Sequence, residues 1–158
     1  MNQTTNADNK VNNFNTKQFI MITLIASIWI QIGEFARGFI VAFPRMQEFW
    51  GANWENLELG RVEASNVTIW TGWGFLLAFV LGYIVWTSIH SMGNNRKTLF
   101  IAGTMTTLAT LVISWIANVN TGFGSWDTAL ILCLIAWVEL LVAAFIMGHL
   151  YKNNSFSG

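Results

Sequence analysis

The chain has 158 residues, of which 54% are hydrophobic and 10% charged, with a formal net charge of zero. Soluble domains carry roughly 25% charged residues, and a soluble fold of this length could not hide so much apolar surface. With no basic block, the chain also lacks the electrostatic footprint that phosphate-backbone binding requires, so nucleic acid is excluded as a partner class.

Residues 1–17 are rich in Asn and Thr, carry Lys10 and Lys17, and lack the apolar core and cleavage site of a signal peptide. They read as a flexible cytoplasmic tail. A bilayer core about 30 Å thick needs roughly 20 apolar residues in helical form. Four stretches meet that length: Gln18–Phe43, Val67–Met92, Thr98–Asn118 and Thr128–Tyr151. The connections are unequal: Pro44–Asn66 is long and acidic, Gly93–Lys97 is a tight turn, and Val119–Asp127 is a short Gly-containing loop. Residues 152–158 form a C-terminal cytoplasmic tail. The expected fold is an all-α membrane protein, a four-helix transmembrane bundle spanning residues 18–151.

Orientation follows from Lys and Arg near the ends of the spans. Lys10, Lys17, Arg96, Lys97 and Lys152 fall on one side, against Arg45 and Arg61 on the other. That bias predicts both termini inside, in the cytoplasmic membrane if the chain is bacterial. The acidic residues Glu48, Glu55, Glu58, Glu63 and Asp127 then lie outside. The outer segment Phe49-Trp50-Gly51-Ala52-Asn53-Trp54 is an aromatic cluster suited to the headgroup layer.

In lipid, helices associate through small residues and interhelical hydrogen bonds rather than through a hydrophobic drive. Gly74, Ala78 and Gly82 recur every four residues along the second span and predict a packing face. Along the third span Thr107, Thr110, Ser114 and Asn118 share a face that predicts an inward polar stripe, continued by Gly103. Such stripes serve either as glue between helices or as the lining of a wet path.

The costliest residues are three charges within the spans: Glu34, Arg37 and Glu139. A charge near the bilayer centre costs at least about 2.5 kcal/mol on insertion scales, so each needs a reason. Ser27, Gln31, Glu34 and Gly38 form one polar face of the first helix, and Arg37 lies one turn from Glu34. Glu139 is flanked by Ala136 and Ala143, a groove that a neighbouring helix can approach. By helical rise, Glu34 lies roughly 14 Å below Phe43 and Glu139 roughly 17 Å below Thr128, which puts the two carboxyls at similar depth. With the first and fourth helices adjacent, Arg37 would sit between them and the set would titrate as a coupled unit. Snorkelling of Arg37 to the outer surface is the alternative.

His90 and His149 end the second and fourth spans near one membrane surface, where two histidines at one level could ligate a haem axially; a third ligand of matched depth for a metal centre is missing. Cys133 lies in an apolar stretch and reads as a small hydrophobe. The spans offer no nucleophile, phosphate-loop or zinc-protease motif, so neither catalysis nor a cofactor is expected. The first functional reading is a small proton- or ion-coupled transporter subunit using the Glu34, Arg37 and Glu139 network. The alternative is a non-catalytic scaffold, with a second copy or another membrane protein as partner beside the surrounding lipids. Haem-dependent electron transfer ranks third.

Overall fold

The computed structural model describes residues 14–53 and 64–153, and these are helical nearly throughout, with no strand among them. The tail through residue 13 with Lys10, the outer residues Trp54, Glu55, Glu58, Arg61 and Glu63, and the C-terminal residues 154–158 lie outside the described residues. The described residues form six α-helices: α1 (Thr16–Arg37), α2 (Phe43–Trp50), α3 (Ala64–Met92), α4 (Arg96–Thr107), α5 (Ile113–Asn120) and α6 (Trp126–Asn153). Single wide π turns join α1 to α2, over Gly38–Ala42, and α4 to α5, over Leu108–Val112. The result is four continuous rods, each long and apolar enough to cross a membrane.

The sequence places the end of the first span at Phe43, but the helix runs on through Pro44 to Trp50, followed by a short 3-10 turn at Gly51–Asn53. A proline inside a helix lacks an N–H to donate, and its ring collides with the preceding turn. The π turn resolves both difficulties. It widens the coil just before Pro44, with the Phe43 N–H reaching back to the Gly38 carbonyl. The helix therefore continues through Pro44 instead of stopping there.

Capping fixes the other ends. Asn15 and Asn95 accept hydrogen bonds from the backbone of Gln18 and Thr98, both at 3.1 Å, and so start α1 and α4. Gly93, at φ 78°, and Gly122, at φ 81°, adopt the left-handed conformation that closes the α3–α4 and α5–α6 connections.

Neighbouring rods pack in chain order, and α6 returns to close the ring against α1, while α3 and α6 also touch across the middle. At one end of the bundle Phe14 packs edge-on against Trp86, ring centroids 4.7 Å apart, and Asn94 donates to the Gly148 carbonyl at 2.8 Å. At the other, Arg45 pairs with Asp127 at 3.1 Å and Trp50 meets Phe123. Both ends of the described chain therefore lie at the Asn94 end.

Small residues set the helix spacing. Gly74, Ala78 and Gly82 are buried and turn toward α1, where Gly74 lies against Gln31 and Gly82 against Thr23. Ala136 and Ala143 are fully buried on α6, Gly103 admits Leu141, and Gly148 admits Leu99. Around these contacts Ile22, Ile30, Leu81, Val85, Leu140 and Met147 form the core, all fully or almost fully buried. Large apolar side chains such as Ile28, Ile40 and Leu76 face outward, the pattern of a surface suited to lipid.

Candidate functional site

The site grows from two turns of α1 and one of α6. Glu34 and Arg37, three residues apart, project from the same side of α1 and form an ion pair. Glu139 reaches them from α6, with its Oε2 3.6 Å from Arg37 Nε. Two features make that approach feasible. Gly33 has no side chain where the Glu139 carboxyl lies, and any Cβ there would collide with it. In addition, Trp29 Nε1 donates to the backbone carbonyl of Glu139 at 3.1 Å, tying α1 to α6 at this level. Arg37 thus bridges two carboxyl groups, and it does not snorkel: it is 8% exposed and Glu139 5%.

One guanidinium balances one carboxylate. With both carboxyls ionised the cluster carries an uncompensated negative charge away from water, which is expensive in a low-dielectric interior. A proton or a cation removes that charge, so the arrangement is suited to exchanging either.

Cavities reach the cluster from more than one direction. The first, of about 220 Å³, has Glu34 and Arg37 at its base and is walled by Phe43, Met46, Trp70, Trp115 and Asn118, residues near the Arg45 end of the bundle. The second, of about 300 Å³, runs along the side between α1 and α6 and has Gly33, Arg37 and Glu139 among its lining residues. A further groove beside Glu34 is lined by Ile69, Trp70 and Trp73.

The remaining polar positions divide. Ser27 is buried but bonds the Leu24 carbonyl of its own helix at 2.7 Å. Gln31 acts between helices, donating to the Thr71 carbonyl of α3 at 2.7 Å across the space left by Gly74. Thr107 and Thr110 bond the Gly103 and Thr106 carbonyls one turn back. Hydroxyls competing for helix carbonyls favour a local bend, and the π turn at Leu108–Val112 begins directly after Thr107 and contains Thr110. That turn adds a residue to the coil, which rotates everything beyond it by roughly 100°. Ser114 consequently points outward, correcting the expectation of one continuous inward stripe from Thr107 to Asn118. Asn118 is half-buried and belongs to the cavity wall instead.

His90 and His149 both lie on the outside of the bundle. The ring of His90 contacts Trp86 and its carbonyl, and that of His149 bonds Asn153 at 2.8 Å. Cys133 is half-buried. Sequence reasoning missed Trp29, Gly33, Trp70 and Trp115. A glycine beside a glutamate in an otherwise bulky helix was the one local signal for Gly33, whereas the tryptophans carry no signal that separates a cavity wall from an interfacial anchor. No protein-family model, curated protein or solved structure matches the chain.

Proposed function

We propose that the chain is a small membrane transporter, or a subunit of one, that couples solute movement to a proton or ion exchanged at Glu34, Arg37 and Glu139. The observation carrying this reading is the buried three-charge cluster, two of whose members, Glu34 and Arg37, line a cavity walled by residues toward the Arg45 end of the bundle. A purely structural ion pair needs one carboxylate for one guanidinium; here a second carboxyl is brought in at the cost of its own desolvation. Intramembrane acids facing a cavity are the arrangement that proton relays use.

In this reading both termini are cytoplasmic. Lys17, Arg96, Lys97 and Lys152 favour the cytoplasm for one end of the bundle and only Arg45 opposes them at the other, with Lys10 and Arg61 beyond the described residues adding one to each side. The scaffold alternative rests on small-residue stripes and on the aromatic outer loop; the stripe residues Gly74, Ala78, Gly82, Ala136 and Ala143 are buried within the chain itself. That weakens the case for them as a partner surface.

The test is reconstitution of the full chain into vesicles holding a pH-sensitive dye, with a pH gradient imposed and a panel of amino acids, amines, organic acids and sugars added in turn. At least one solute should discharge the gradient with the native chain and fail to do so with Glu34→Gln or Glu139→Gln. Discharge that survives both substitutions, or no discharge by any solute, overturns the proposal.

A further inference from the structure

Among the described residues Glu139 is the buried side chain with two polar atoms lacking a hydrogen bond. It is 5% exposed, yet neither carboxylate oxygen takes part in a hydrogen bond among the described residues. Arg37 Nε, 3.6 Å away, is within ion-pair reach but too distant for a hydrogen bond, and it too is buried without an acceptor. Buried carboxylate oxygens normally have donors, and leaving them without is costly.

Both residues line the groove of about 300 Å³ between α1 and α6. Its other walls include Trp29, Ile40, Val41, Ile135 and Val138. Ile40 and Val138 are 74% and 56% exposed, so the groove opens on the apolar flank of the bundle and not at its end. A molecule entering it from the hydrocarbon phase would carry an apolar body.

Charge narrows the head of that molecule. The cluster holds two carboxyls and one guanidinium, so a fatty acid would add a further negative charge, while an alcohol would leave the imbalance in place. A cation corrects it. The bare oxygens of Glu139 ask further for N–H donors, which a quaternary ammonium cannot supply. We propose that this groove binds a lipid-dissolved primary amine, a long-chain alkylammonium whose head donates hydrogen bonds to Glu139 while its chain lies along Ile40, Ile135 and Val138. The inference rests on the site of the transport reading and narrows its substrate class, but equilibrium binding tests it without any flux.

The full chain is placed in phosphatidylcholine nanodiscs and titrated with 12-bromododecylammonium, whose bromine quenches tryptophan fluorescence. Partitioning into lipid gives a non-saturating background, and occupancy of the groove adds a saturable component. Dodecylammonium should compete for that component, with dodecyltrimethylammonium at least about tenfold weaker at equal membrane concentration, the loss expected when charge-assisted hydrogen bonds are removed. Glu139→Gln should abolish saturation. Ile135→Phe, which obstructs the groove and leaves the charges alone, should abolish it too and decides the matter if the first variant does not fold. Absence of a saturable component, equal competition by the quaternary analogue, or saturation unchanged in the folded variants overturns the inference. Binding without solute-driven proton movement would refute the transport reading alone, and proton coupling without binding would refute only this one.

Discussion

Gly33 on α1 faces Glu139 on α6 so closely that a single methyl group at position 33 would occupy the place of the carboxyl. The ion cluster therefore depends on a residue with no chemistry of its own. Gly33→Ala should force the Glu139 side chain or the whole of α6 to shift, at a cost of roughly 1–3 kcal/mol for an overpacked interior position. Reversible unfolding in bicelles measures it, and stability equal to that of the native chain would contradict the close approach.

Arg37 neutralises buried negative charge, so its loss should be more damaging than the loss of either acid. Arg37→Met leaves two buried carboxyls without a counter-ion and should destabilise the fold by about 3–5 kcal/mol. Adding Glu34→Gln and Glu139→Gln to the same chain should recover much of that loss, because the uncompensated charge disappears with the acids. Additive costs in this series would show that the three residues do not act as a unit.

The face of α3 distinguishes its glycines. Gly74 is buried against Gln31, whereas Gly72, two residues earlier, has nothing near it. Gly74→Val should disrupt the α1–α3 contact and lower the unfolding midpoint. Gly72→Ala should be neutral or raise stability by roughly 0.5–1 kcal/mol through helix propensity alone. The reverse ranking in a thermal-stability assay would place the wrong face of α3 against α1.

The chain has one cysteine, so topology can be mapped after Cys133→Ser. Ser91 and Thr121 are exposed at opposite ends of the bundle. On intact cells a membrane-impermeant thiol reagent should label Thr121→Cys and spare Ser91→Cys. Labelling of Ser91→Cys alone would invert the orientation, and labelling of both would argue against a membrane between them.

Much of the architecture is legible in the sequence because lipid imposes a simple demand: about 20 apolar residues per crossing. The stripe of Gly74, Ala78 and Gly82 is visible for a similar reason, since only small residues at helical spacing let two backbones approach. Glu34, Arg37 and Glu139 stand out through their cost. What the sequence conceals is geometry that depends on tertiary packing. The continuation past Pro44 requires the π turn at Gly38–Ala42, and no residue pattern there announces one. The turn at Leu108–Val112 likewise breaks the face that ideal periodicity draws through Ser114. The convergence of one guanidinium on two carboxyls follows from α1 packing against α6, and the cavity walls at Trp70 and Trp115 from rods meeting far apart in sequence.

Proton movement through Glu139 is the central claim, and a single comparison tests it most directly. Vesicles containing the native chain or Glu139→Gln, matched for folded protein, are given a membrane potential and the solute found to be coupled, and interior pH is followed. The native chain should acidify or alkalinise the interior in the direction set by the potential, and the variant should match protein-free vesicles. Equal proton flux through both would contradict the role assigned to Glu139.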